Sequence, residues 1–174
     1  MKTNKFKRKK TKGVSLNYRD IEILKLVYRF RFLTTAHIQT YFGLKNRQTI
    51  NPRLRLLFDN KYLDRPIHQV NNYKVGSGSN PLVYCVGNEG AKYLSSMAGF
   101  YFPKSGYQTE KNRKVKSFFI EHSLEIADFF ISIERFCLEH KNIRFINQEE
   151  MLSLAPIKTI KKGSGYKWAV SVRW

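Results

Sequence analysis

The pattern that most constrains the fold is a succession of short apolar periodicities between residues 17 and 98. One helix is predicted to run from Asn17, an N-cap type of residue with Asp20 three positions later, to about Arg31. A second helix is predicted to begin after Thr34 and to stop at Gly43, because glycine readily adopts the backbone conformation that ends helices. These signals place two short helices close together in the chain.

A third helix is predicted to be capped at Thr49 or at Asn51, because Pro52 is tolerated only in a first helical turn. Its inward stripe has i, i+4, i+7, i+8 spacing and consists of Ile50, Leu54, Leu57 and Phe58. The residues that point away from this stripe are Gln48, Asn51, Pro52 and Arg55, flanked by Arg47 and Arg53. The helix thus pairs an apolar face with exposed Arg, Gln and Asn.

Two strands are predicted after the third helix, from Leu63 to Val70 and from Leu82 to Val86, around a polar Gly/Ser-rich loop. Asn88 is predicted to cap a fourth helix that ends at Met97. Three helices, a hairpin and a closing helix predict an α+β fold, a winged helix-turn-helix domain over residues 17–98, followed by a long helix and short strands.

The charge of the chain is abnormal, with 32 Lys and Arg against 13 Asp and Glu, a net +19. Such an excess favours a polyanionic partner, because neutralising phosphates releases condensed counterions. Residues 1–16 are lysine-rich and are expected to form a basic disordered arm. Two distant cysteines without metal-ligand spacing, and no apolar run long enough to span a bilayer, predict a cytoplasmic protein that is not associated with membranes.

Residues 99–116 are predicted to be a basic linker, and residues 117–174 an extension for self-association. The extension begins with the longest predicted helix, 117–140, and continues with strands at 143–146 and 167–174. The apolar face of this helix is too wide to remain exposed and must pack on more of the chain or on a second copy. A homodimer is predicted, formed through Phe119, Ile126, Phe130 and Ile133.

Catalytic and metal-binding patterns are weak, and no enzymatic activity, metal or cofactor is predicted. His122 with Glu125 or Asp128 on one helix is more typical of surface pairing than of a metal or acid–base site. The pair Glu149–Glu150 lacks the further Asp and strand-borne Lys that a nuclease site would need.

The third helix and the charge together predict binding of double-stranded DNA. Arg and Gln side chains read base edges in a major groove, whereas Lys contacts phosphates. The residues predicted to bind DNA are Arg47, Gln48, Thr49, Asn51, Arg53 and Arg55 of the third helix region, Lys74 of the hairpin loop, and Lys7, Arg8, Lys9 and Lys10 of the arm.

The sequence also resembles the replication-relaxation family of winged-helix proteins from plasmids and mobile elements. The similar segments are residues 18–24, 31–38 and 53–65, then Tyr84 with residues 90–94, and residues 122–124. The resemblance implies duplex DNA binding in replication, mobilisation or transcription control. It implies no catalytic role, because the Pro-Asp element of a nuclease-like region in longer members is not found here.

Two other functions stay open at this point. One is an interaction protein that inhibits or recruits a nucleic-acid-processing machine, in replication, mobilisation or defence, through its basic face. The other is a nuclease or relaxation accessory factor that depends on Glu149 and Glu150.

Overall fold

The computed structural model describes residues 5–11, 13–46, 48–71, 81–97, 105–140 and 142–146. The chain divides into two units, 1–135 and 136–174. The helices are α1 (Tyr18–Phe30), α2 (Thr35–Tyr41), α3 (Asn51–Asp59), α4 (Asn88–Ser95), α5 (Ser105–Arg113) and α6 (Ser117–Glu139). The strands are β1 (Leu33–Thr34), β2 (Leu63–Asp64) and β3 (Val83–Val86), with a 3₁₀ helix at Ile67–Asn71.

The ends of the first two helices confirm the predicted capping signals. Asn17 and Asp20 form a reciprocal capping box, in which each side chain accepts a hydrogen bond from the backbone N–H of the other residue, at 2.9 and 2.8 Å. Thr34 and His37 form the same arrangement at the start of α2. Gly43 follows α2 with φ +63°, the left-handed conformation expected of a helix-stopping glycine.

The observed cap of helix α3 lies one residue away from each of the two predicted caps. Ile50 is the cap, and its side chain makes no capping hydrogen bond, so the placement of the cap at Thr49 or Asn51 is wrong. Pro52 lies in the first turn, where its missing N–H has no helical partner in any case. The predicted inward stripe is confirmed, because Ile50, Leu54, Leu57 and Phe58 are all buried.

The three strands form one antiparallel sheet with the order β1-β3-β2. The predicted strand from Leu63 to Val70 is wrong beyond Asp64, where Pro66 cannot donate a hydrogen bond to a strand ladder. Gln69 takes the place of that strand, because its amide accepts from the Val83 N–H at 2.6 Å and donates to the Val83 carbonyl at 3.1 Å. The second predicted strand is confirmed to within one residue.

Two glycines allow α4 to approach the chain that enters β2. A Cβ atom at Gly87 would overlap the carbonyl of Lys61, and one at Gly90 would overlap the carbonyl of Tyr62. Gly87, rather than the predicted Asn88, is the cap of α4. The backbone therefore requires glycine at both positions. This close approach lets Ala91 and Leu94 of α4 pack into the apolar core.

Within the first unit, residues 117–135 of α6 pack on the other elements through one narrow stripe. Ile120, Ala127 and Ile131 are buried, and Ala127 and Ile131 belong to the same apolar cluster as α1 and α3. His37 accepts the Thr34 N–H at Nδ1, so its proton lies on Nε2 and is donated to Asp128 of α6 across 2.6 Å. A second polar contact with α6 is the ion pair between Arg29 of α1 and Glu134.

Helix α5 lies within the segment 99–116 that the sequence suggested to be a linker. Thr109 and Asn112 of this helix are buried, and Asn112 accepts a hydrogen bond from Arg31 Nε at 2.8 Å. Residues 143–146 contain no strand, so that prediction is wrong. The predicted strand 167–174 lies outside the described residues, as do Arg47 and Lys74.

Candidate nucleic-acid interface

The turn that leads into α3 presents a group of exposed polar residues. Asn46 organises this turn, because its side chain accepts from the Gln48 N–H and its carbonyl accepts from the Thr49 hydroxyl, both at 2.8 Å. Gln48, Thr49 and Asn51 are exposed, as is Pro52. Three of the residues predicted to bind DNA therefore lie side by side at the start of α3.

Arg53 is half-buried, and its guanidinium is engaged within the domain. Its Nε donates to Asp20 Oδ1 at 2.7 Å, and its Nη2 contacts Asp20 Oδ2 and donates to the Ser15 carbonyl at 2.8 Å. The hydrogen bond to Asp20 raises the pKa of the Arg53 guanidinium. Because the Asp20 side chain is fully buried, Arg53 is the main counterion of an interior carboxylate and ties α3 to the start of α1.

We expect Arg53→Ala to destabilise the fold by about 2 to 3 kcal/mol, because it leaves the buried charge of Asp20 without its ion-pair partner. Urea denaturation of both proteins measures this difference. Arg19→Ala, which removes an exposed arginine from the same part of α1, should change the free energy of unfolding by less than about 0.5 kcal/mol. Equal effects of the two substitutions would contradict the structural role of Arg53.

Arg55 is also engaged, in this case with the N-terminal segment. Its Nε donates to Asp59 Oδ2 at 2.9 Å, and its Nη2 donates to the Lys7 carbonyl at 2.8 Å. The other oxygen of Asp59 accepts the Lys9 N–H at 2.9 Å. One carboxylate of α3 thus holds the N-terminal segment both directly and through Arg55.

The ring of Phe58 is the apolar centre of the same contact. The guanidinium carbons of Arg8 and Arg65 lie 4.2 and 4.1 Å from the ring centroid, within cation–π distance. Arg8 pairs with Asp64 at 2.9 Å, and Arg65 is buried, with its Nη2 donating to the Tyr84 hydroxyl at 3.1 Å. Burial lowers the pKa of Arg8, and the neighbouring Asp64 opposes that shift.

Residues 5–11, called the strap from here on, therefore differ from the disordered arm that the sequence suggested. Their lysine content predicted self-repulsion, but the carboxylates of Asp59 and Asp64 offset it locally. Phe6 and Arg8 are half-buried, whereas Lys7, Lys9 and Lys10 are exposed. Of the four arm residues predicted to bind DNA, the structure leaves three lysines at the surface and turns Arg8 inward.

The sequence analysis did not predict the contacts of Asp59, Asp64 and Arg65 with the strap. One of the ion pairs involved could have been predicted from spacing alone. Arg55 and Asp59 stand at i, i+4 spacing on the helix, which favours an ion pair. Nothing in the local pattern of the strap indicated that its backbone would meet this pair.

The outward face of α6 carries large exposed apolar side chains. Phe119 is 55 % exposed, Ile126 43 % and Phe129 63 %, while Phe130 and Ile133 are half-buried. Of the four residues predicted to form a dimer, two are therefore exposed and two are half-buried.

The remaining candidate chemistry receives little support from the geometry. Asp128, weighed as a partner of His122, contacts His37 instead. Burial raises the pKa of the Cys85 thiol, which does not suit a nucleophile. Among the described residues there is no group of three or more His, Cys, Asp and Glu that could hold a metal ion, and no helix with the length and apolar composition needed to cross a membrane. Glu149 and Glu150 lie outside them.

A model of the replication-relaxation family matches residues 24–148, which include α2, α3, the sheet and α6. The chain belongs to the replication-relaxation family. This membership confirms the resemblance seen in the sequence and suggests a role in the replication of a plasmid or another mobile element. No curated protein and no solved structure matches the chain.

Proposed function

We propose that residues 17–97 form a winged-helix domain that binds duplex DNA in the replication of a plasmid or another mobile element. The observation that carries the proposal is the group of exposed residues Gln48, Thr49 and Asn51 at the entry to α3, the helix that follows α2 in the chain. The order α1-β1-α2-α3-β2-β3 supports it, because a helix-turn-helix followed by a hairpin presents its last helix to a major groove. The function is binding rather than catalysis.

The turn before α3 and the first residue of α3 would carry the base contacts. Gln48 and Asn51 have side-chain amides, which can donate to and accept from one adenine edge at the same time, and Thr49 can contact most bases. We assign no base contacts to Arg53 and Arg55, because their guanidiniums form ion pairs with Asp20 and Asp59. Arg47 and Lys74 stay predicted DNA contacts from the sequence.

We expect Gln48→Ala and Asn51→Ala each to weaken binding to a specific site by about 1 to 3 kcal/mol and to leave binding to random duplex almost unchanged. The measurement is a gel-shift titration against the DNA upstream of the element's own gene and against a random duplex of equal length. The physical reason is that base-edge contacts exist only on the correct sequence.

Ser96→Ala, an exposed polar truncation at the end of α4, is the matched control and should leave both titrations unchanged. Equal weakening on every duplex would mean that Gln48 and Asn51 contact only phosphates. A wild-type protein that binds no duplex would contradict the proposed function and favour a protein partner for this face.

Two copies would associate through α6 when bound to DNA. Phe119, Ile126 and Ile133 recur every seven residues, and Phe129 follows Ile126 by three, which is the spacing of a coiled-coil seam. Two chains of net charge +19 repel each other except where their surfaces are least positive. Among the described helices, α6 is the least positive, because it carries five acidic residues and a single arginine. The second copy is therefore the occupant proposed for its outward face.

A further inference from the structure

We propose that the strap is a preformed phosphate-binding element whose exposed lysines Lys7, Lys9 and Lys10 are held in place by Asp59 and Asp64. This inference rests on the proposed function, because it assigns the polyanion to the DNA backbone. It gives two acidic residues a positive role in DNA binding, although their own charge repels phosphate.

The anchors of the strap come from α3, from β2 and from the residue that follows β2. Asp59 accepts the backbone N–H of Lys9, and the guanidiniums of Arg55 and Arg65 donate to the carbonyls of Lys7 and Lys5. Three further contacts involve strap side chains: Arg8 pairs with Asp64, Arg8 also donates to the Leu63 carbonyl, and the Thr11 hydroxyl donates to the Asn60 side chain at 2.8 Å. Most of the anchoring therefore uses the backbone and Arg8, not the lysine side chains.

The consequence is a division of the strap into two faces. Exposure alternates along Phe6, Lys7, Arg8 and Lys9, as in an extended segment with one face on the protein. The inward face is filled by Arg8 against the ring of Phe58. The outward face presents lysine ammonium groups, which are point charges suited to phosphates but not to base recognition.

Docking changes the energetics of DNA binding. A disordered basic arm loses conformational entropy when it settles on the phosphate backbone, whereas a docked strap has lost most of it beforehand. Asp59 would then strengthen binding by ordering the lysines. Coulombic interaction alone predicts the opposite sign, because removing an acidic residue from a DNA-binding surface should strengthen binding.

The two effects of Asp59 predict opposite changes in DNA affinity when its carboxylate is removed. The variant Asp59→Ala in the full chain therefore distinguishes them. We expect duplex affinity at low salt to fall by about threefold to tenfold. Asp59→Asn keeps an oxygen that can accept the Lys9 N–H, so its loss should be smaller. The matched control Glu89→Ala removes one acidic charge from α4, outside the strap, and should leave affinity equal to or slightly above that of the wild type.

A second readout needs no DNA. Limited trypsin digestion followed by mass spectrometry measures how fast the chain is cut after Lys7, Arg8, Lys9 and Lys10. A docked backbone must detach before cleavage, so Asp59→Ala should be cut in the strap several times faster than the wild type. Asp64→Ala, whose carboxylate is more exposed, is the second variant in case Asp59→Ala does not fold, and thermal unfolding checks both.

Each outcome decides between the alternatives. Equal cleavage in wild type and variants would overturn the docked strap, whether or not the protein binds DNA. Faster cleavage with unchanged or stronger DNA binding would overturn the positive role of the aspartates and would mean that the strap masks Arg55 and Arg65. Absence of duplex binding by the wild type contradicts the proposed function, while the digestion still reports on docking.

Discussion

Raising the salt concentration from 50 to 200 mM is expected to weaken duplex binding about 10³-fold. The affinity of a protein that neutralises about six phosphates falls with a logarithmic slope near −5 on B-DNA, because the released counterions return to a more concentrated solution. The exposed lysines of the strap and the net charge of +19 make this number of contacts reasonable. Fluorescence anisotropy with a labelled duplex at four or five salt concentrations measures the slope.

The strap should account for about half of that slope. Replacing Lys7, Lys9 and Lys10 together by alanine removes about three phosphate contacts and should reduce the loss over the same salt range to about 40-fold. The charge-matched control replaces Lys25, Lys92 and Lys114, each of which pairs with a glutamate three or four residues earlier in the chain. A control that flattens the slope equally would show that net charge alone, and not the strap, sets the salt dependence.

The elements of the first unit that local chemistry specifies were predictable from the sequence. Capping at Asn17 and Thr34 and the stop at Gly43 depend on residues within four positions of each helix end. The buried stripe of α3 follows from helical periodicity, which requires no knowledge of what the helix packs against.

The roles of residues that pair with partners far away in the sequence were not predictable in this way. Periodicity places Arg53 and Arg55 off the apolar stripe of α3. It cannot show that Asp20, which lies 33 positions before Arg53 in the chain, is next to Arg53 in the folded protein. The same holds for the strand lost after Asp64, where Gln69 bonds to β3 instead. An exposed helix face in a sequence pattern is therefore only a set of candidates, and the contacts of the folded chain decide which arginines are paired within it.

Helix α6 shows a related ambiguity. Its composition required a partner for a wide apolar face, yet the pattern could not say which side would pack within the chain. The first unit uses Ile120, Ala127 and Ile131, where the small side chain of Ala127 permits close approach. The side chains of Phe119, Ile126 and Phe129 consequently remain exposed to solvent. The predicted self-association can therefore be tested by substitutions on this one face of α6.

Ile126→Glu is expected to convert a dimer into a monomer and to weaken binding to a two-half-site duplex by about 10²-fold. A charge buried in the centre of the seam would lose its solvation, whereas the same residue is 43 % exposed in the single chain and should not disturb its folding. DNA affinity should fall because, in the proposed dimer, two linked domains would bind half-sites one helical turn apart with a high effective concentration, which a monomer lacks. Light scattering of the wild type should give about twice the chain mass of 20.6 kDa.

Ser132→Glu is the control, because it adds the same charge to an exposed position of the acidic stripe on the same helix. It should leave both the mass and the DNA affinity close to those of the wild type. If the control also dissociates the protein, net repulsion between the two helices governs association, and the seam assignment of Ile126 fails. A wild-type chain that stays monomeric at tens of micromolar would contradict the dimer itself. The outward face of α6 would then have to serve contacts within one chain, and cooperative binding to paired half-sites would have no structural basis in this helix.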